Sequence, residues 1–148
     1  MDVDQRLLDA AVDQMERRWP AGEQAGAAAV YLSDGSILTS VCLDNINPGV
    51  VLCHEVGALC QAYTQNAIVV ASGCAGRDEG SAQLHVYAPC GVCQERLALW
   101  VPDVQVGVSD PASASGWSSR SLRDVNPHYW AARFGSDGGW PSLTQHTS

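Results

Sequence analysis

Residues 53–70 read CHEVGALCQAYTQNAIVV and residues 89–108 read PCGVCQERLALWVPDVQVGV. The two segments share one plan: a cysteine at the head of a helix, then a buried strand. Val56, Leu59, Cys60 and Tyr63 fall on one helical face of residues 53–65, and Asn66 is a fitting stop. Ala67–Ala71, centred on Ile68, Val69 and Val70, reads as a strand buried on both sides. In the second segment Pro89 suits the opening of a helix that runs to about Trp100 and stops at Pro102, before a strand at Val104–Val108. A shorter strand is expected near Leu84–Tyr87.

Upstream, Leu8, Ala11, Val12, Met15 and Trp19 recur at helical spacing within residues 4–19, with Asp2 or Asp4 as cap and Pro20 as stop. Residues 27–32 and 36–42 are extended runs joined through Ser33-Asp34-Gly35-Ser36, so a β-hairpin is expected. Helices feeding buried strands beside an opening hairpin predict an α/β fold, three layers in α/β/α order around a mixed sheet of about five strands. Ser121–Phe134 is expected to be helical in part. Residues 1–134 form the expected single domain, and the Gly-containing tail 135–148 reads as the loosest segment.

The chain has 148 residues, and 16 acidic against 8 basic residues give it a net charge of -8. All the basic residues are arginines, and only Arg17 and Arg18 adjoin. Nucleic-acid binding rests on basic stripes that neutralise phosphates, so a polynucleotide partner is not expected. Met1-Asp2-Val3-Asp4 lacks the charged and apolar regions of a signal peptide, and no apolar run approaches a membrane span. A soluble, cytoplasmic protein without a membrane partner is expected. In that compartment the six cysteines, at 42, 53, 60, 74, 90 and 93, read as metal ligands and small buried hydrophobes rather than disulfides.

Cys90 and Cys93 are three apart in a first helical turn and lie on one face, where the partial positive charge of the helix end favours thiolate. Cys53, from the other helix, completes three protein ligands. Three ligands leave a tetrahedral zinc ion one open position, whereas structural zinc sites are usually closed by four. Glu55 is an unligated carboxylate beside them. Two blander readings stand next to this one. Cys-x-x-Cys alone could be a redox pair, and His54 or His85 as a fourth ligand would make a closed zinc site in a non-catalytic binding module.

Cys53-His54-Glu55 followed by Pro89-Cys90-Gly91-Val92-Cys93 resembles the signature of the cytidine deaminase superfamily. Gly26-Ala27-Ala28 at the opening of the hairpin resembles it more weakly, and the last 40 or so residues only faintly. The resemblance implies Zn2+ as cofactor and hydrolytic deamination of a small aminated heterocycle, cytidine or a cytosine nucleoside analogue first. A blasticidin S-type or other base is the alternative. Glu55 would take a proton from the attacking water and pass protons to the ring nitrogen and the departing amine. A homotetramer, or a homodimer, is implied as well, with the aromatic C-terminal segment as a candidate to complete a neighbour's site.

The chain departs from the family's pattern in three places. Where the family's small nucleoside deaminases usually carry Asn-x-Glu to hold the ribose hydroxyls, Cys42 and Asp44 stand here, with Asn45 or Asn47 nearby. Cys42, Asp44 and Asn45 are therefore the expected substrate contacts, Cys42 being equally readable as core. A stacking phenylalanine would fall at Glu23, so an aromatic floor is sought at Tyr129, Trp130 or Trp117. Many three-cysteine members place arginine directly after the catalytic glutamate, where this chain has Val56. His54 and Arg96 are the candidates for offsetting the thiolate charge.

Overall fold

The structure is a computed structural model that describes residues 1–100, 103–135 and 140–141. Its six-stranded sheet is mixed. Strands β1 (Ala25–Leu32) and β2 (Ile37–Val41) form the expected hairpin, closed by Asp34, whose carboxylate accepts from the Ser36 N–H, and by Gly35 at φ 83°. Gly supplies that left-handed conformation without steric cost. β3 (Val69–Arg77) lies antiparallel to β1 and parallel to β5 (Gln105–Ser109), and β6 (Trp117–Ser121) closes the far edge antiparallel to β5. The short strand β4 (His85–Tyr87) pairs with the end of β3.

β6 is the strand beyond the expected five. Its sequence, WSSRS, has one apolar residue and no alternation, as befits a sheet edge with little to bury. β3 also runs further than the apolar run at 67–71 suggests, because Ser72-Gly73-Cys74-Ala75-Gly76 are small enough for both faces to be packed close. An added Cβ on Gly73 would lie 2.9 Å from Leu8 Cδ2, so the glycine is what lets the first helix lie down on the strand.

That helix, α1 (Gln5–Arg18), starts at Asp4, whose carboxylate accepts from the Leu7 N–H at 2.9 Å and also from the Tyr31 hydroxyl at 2.9 Å. A capped N-terminus of this kind is worth about 1 kcal/mol. Leu7, Leu8 and Ala11 pack with Val3 on Ala29, Tyr31, Ala71 and Ala75. The opposite face of the sheet carries α2 (Val56–Thr64) and α3 (Gly91–Leu97), with Ala58, Leu59, Ala62 and Leu97 against Val30, Leu32, Val69 and Val106. Alternate residues of β1 thus serve opposite faces, the period-two rule of a strand, and the α/β/α layering is as expected.

α2 ends at Asn66, which takes φ 54°. α3 is shorter than the span to Trp100: its end tightens into bonds from Leu99 N–H to Arg96 O and from Trp100 N–H to Leu97 O. The Trp100 indole then donates to Ala67 O at 3.0 Å, which ties the end of α3 to the start of β3. The expected stop at Pro102 and most of the tail 135–148 lie outside the described residues. After β6 the chain forms the short helix α4 (Leu122–Val125) and a 3-10 turn, Trp130–Phe134. Trp140 is buried and stacks on Tyr129, ring centroids 4.2 Å apart. Among the described residues no helix is long and apolar enough to cross a membrane.

Candidate active site

The N-termini of α2 and α3 converge on one side of the sheet and bring the motif residues together. Cys53 precedes α2, Glu55 is its N-cap residue, Cys90 is the N-cap of α3 and Cys93 lies in its first turn. The three sulfur atoms lie within 4.8 Å of one another, with Cys53 Sγ 3.5 Å from Cys90 Sγ. Two thiolates on one tetrahedral zinc at 2.3 Å would sit about 3.8 Å apart, so the donor set and its spacing fit that ion. Neither His54 nor His85 joins the group. His85 faces Asp78 instead, at 3.7 Å. The fourth ligand that a closed site needs does not come from either expected histidine.

The electrostatics agree with a site made for a cation. Burial and the Glu55 charge push the Cys93 thiol well up, and burial does the same for Cys53. Burial also raises Cys90, but hydrogen bonds from the backbone N–H groups of Cys93 and Val92 and from Cys53 outweigh it, and that thiol is held below its ordinary range. Deprotonating all three beside a carboxylate is costly alone, and a divalent cation offsets that cost. Arg96, one turn beyond Cys93 on α3, places Nη1 3.6 Å from Cys93 Sγ.

Glu55 is 4% exposed, and its Oε2 lies 3.5 Å from Cys93 Sγ. It stands beside the sulfur cluster, in a second group with His54 and Cys74. The start of α2 is fixed from the sheet: the Ser40 hydroxyl of β2 donates to His54 O, and Gly57 leaves room for Ser40, whose Cβ a side chain there would meet at 2.7 Å. Gly26 of β1 does the same for the imidazole, since its added Cβ would lie 2.5 Å from His54 Nε2. Burial lowers the His54 pKa despite the Glu55 charge, so this ring is neutral near pH 7 and brings no positive charge to the thiolates.

Above these groups opens a cleft of about 700 Å³, lined by Cys53, His54, Glu55 and Cys90 together with Cys42, Asp44, Cys74 and Tyr87. A bridge between Leu43 and Leu52, closed by two backbone hydrogen bonds, brings Cys42 and Asp44 beside Cys53. Asn45 is not among the lining residues. Its side-chain oxygen accepts from the Asn47 N–H at 2.9 Å, a local turn that turns the amide to its own backbone. Trp117, Tyr129 and Trp130 also lie away from the cleft. Trp117 faces the α1 side of the sheet, and the Tyr129 hydroxyl and Trp130 indole donate to the two carboxylate oxygens of Glu95 at 2.8 and 2.9 Å.

A second depression, of about 540 Å³ and more apolar, lies across α2 and α3 between Leu59, Tyr63, Trp100 and Tyr129. Among the described residues it holds no group of metal-binding side chains, and Cys53, Cys90 and Glu55 line the first cleft instead. Of the cleft-lining residues, Gln24, Arg77 and Tyr87 were not anticipated. Arg77 is accounted for structurally: it donates to the backbone oxygens of Glu23, Trp19 and Pro20, at 3.0, 3.5 and 2.8 Å.

Fold and site together define a mixed α/β domain with a cluster of three thiols that could hold a metal ion, beside a buried carboxylate. No protein-family model and no curated protein matches the chain. Among solved structures it is similar to the cytidine deaminase from Bacillus anthracis, at 36% identity over 90% of this chain and 94% of that chain, with a TM-score of 0.81. The cytidine deaminase from Mycobacterium tuberculosis is 25% identical over 87% of this chain and 98% of that one, TM-score 0.63. That from Burkholderia pseudomallei, 22% identical over 86% and 99% with a TM-score of 0.67, shares the fold. The chain belongs to the cytidine deaminase superfamily.

Proposed function

We propose that the protein is a zinc-dependent hydrolytic deaminase that acts on cytidine or a cytosine nucleoside analogue and releases ammonia. The observation that carries this is the placement of Glu55: a carboxylate 4% exposed, 3.5 Å from the buried Cys93 Sγ, lining the cleft together with Cys53 and Cys90. Cys53, Cys90 and Cys93 would hold the zinc, which when bound lowers the pKa of water to about 7 and so supplies a nucleophile at neutral pH.

Glu55 is the general acid and base. It takes a proton from the attacking water and passes it to the ring nitrogen, then takes the second proton from the hydroxyl now on the ring carbon and gives it to the amine, which departs as ammonia and leaves a carbonyl on the ring. Its burial beside the thiols keeps bulk water from competing for those protons. Arg96 offsets the thiolate charge, which the 3.6 Å contact with Cys93 Sγ supports. Asp44 and Cys42 meet the polar side of the substrate, supported by their place on the cleft wall. A homotetramer belongs to the same reading, supported by the exposure of Trp130 and Phe134 at 66% and 62%, apolar area of the kind that marks interfaces.

The test is ammonia release by zinc-loaded protein from cytidine, deoxycytidine, cytosine, blasticidin S, adenosine and guanine, with Glu55→Gln as blank. Glu55→Gln keeps the fold and one zinc per chain and lowers turnover by at least about 10²- to 10⁴-fold, the size of a general acid-base contribution. Equal activity in the blank, or silence across the panel with zinc bound, would sink the proposal.

A further inference from the structure

Tyr87 has no part in the metal cluster, yet its surroundings mark it for the substrate. It is the one side chain with a six-membered aromatic ring among the described residues that line the cleft. In the β3–β4 pairing Tyr87 stands opposite Cys74, and directly opposed residues of an antiparallel pair point to the same face. Cys74 groups with Glu55 and His54 within 4.8 Å, so the phenol shares the face of the sheet that carries the carboxylate.

The ring lies against β3 where Gly76 has no side chain: an added Cβ there would meet Tyr87 Cε2 at 2.8 Å. Strand pairing on one side and Ala88-Pro89 leading into Cys90 on the other hold it in fixed relation to the sulfur cluster. Tyr87 is nonetheless 42% exposed, and its hydroxyl has no hydrogen-bond partner among the described residues. An anchored ring with an open surface and a free hydroxyl, set into a cleft whose other lining includes small and polar side chains such as Gly26, Cys42 and Asp44, is a surface waiting for another flat group. Aromatic rings and nucleobases attract one another face to face because both have polarisable π-systems.

We propose that Tyr87 is the specificity-determining wall of the cleft, packing its ring against the aminated heterocycle of the substrate; this rests on the deaminase reading above. The test compares Tyr87→Leu and Tyr87→Phe with wild type in steady-state kinetics on the panel member that wild type deaminates best. Zinc content and circular dichroism verify that each variant is folded and loaded. Removing the ring raises KM roughly five- to hundredfold, the worth of one stacked base, and moves kcat much less. Keeping the ring in Tyr87→Phe holds KM within about threefold, since stacking needs no hydroxyl.

A Tyr87→Leu enzyme with wild-type KM overturns the inference and leaves the deaminase proposal standing. Equal damage in Leu and Phe overturns it too, because the hydroxyl and not the ring would then be what matters. Wild-type protein that deaminates nothing removes both.

Discussion

Replacing Arg96 with methionine tests how this chain manages three thiolates without an arginine after Glu55. The guanidinium Nη1 lies 3.6 Å from Cys93 Sγ, one helical turn away on α3. At that range an effective dielectric constant of 20 gives about 4 kcal/mol of attraction between unit charges. Arg96 is only half-buried, so solvent screens part of this. A hydrogen bond to a charged group, worth about 1.5–3 kcal/mol net, is the better measure, and it corresponds to roughly ten- to hundredfold in an equilibrium constant. Methionine keeps an unbranched stem of similar reach and so isolates the charge. We therefore expect Arg96→Met to weaken zinc binding by that factor, measured by competition with a chromogenic chelator at fixed pH. Arg96→Lys, a point charge without the planar fork, falls between. His54→Asn serves as the control, because a buried neutral imidazole contributes no charge to lose. Equal zinc affinity in Arg96→Met and wild type would refute the reasoning, and so would a larger loss in His54→Asn than in Arg96→Met.

Two further outcomes follow from the geometry. Gly26→Ala places a methyl group 2.5 Å from His54 Nε2; overpacking of this kind costs about 1–3 kcal/mol, and it should lower both the melting temperature and kcat by displacing the residue next to Glu55, whereas an unchanged kcat would show that the imidazole position is irrelevant. The Tyr129 phenol, pushed up to about 12 by burial and by the Glu95 carboxylate it bonds, holds its proton in the folded state after the unfolded chain has released it, so its contribution is intact below pH 10, the ordinary tyrosine value, and is lost as pH rises toward 12. Urea titrations over that interval should show a shallower decline in Tyr129→Phe than in wild type, and parallel declines would argue against the Glu95 bond.

The parts of the molecule that were legible in the sequence are those whose geometry is local. Two cysteines three apart at a helix start, a third with a glutamate two positions on, and an Asp-Gly turn each impose their arrangement within a few residues. The sulfurs of Cys53, Cys90 and Cys93 do come together, and the hairpin forms with the expected turn. β6 was invisible for the opposite reason: WSSRS carries no periodic apolar signal, and only its pairing with β5 makes it a strand. Asn45 was sought as a substrate contact because asparagine amides suit sugar hydroxyls, yet its oxygen is taken by the Asn47 N–H, the local side-chain-to-backbone competition to which Asn is prone.

Tyr87 belongs to a third kind. Leu84-His85-Val86-Tyr87 reads as a strand from sequence, but which of its residues face the cleft depends on the partner register, and a shift by one residue would send Tyr87 to the α1 face and Val86 to the cleft. The glycines at 26 and 76 leave room on the cleft face of the sheet, one for His54 and the other for Tyr87 itself. The three-cysteine cluster of this chain is thus written in short motifs at helix ends. The cleft walls beside it depend on strand register and on residues that lack a side chain, which is why a neighbour at 36% identity can define the fold while the lining at positions such as 42, 44 and 87 is visible only in the folded chain.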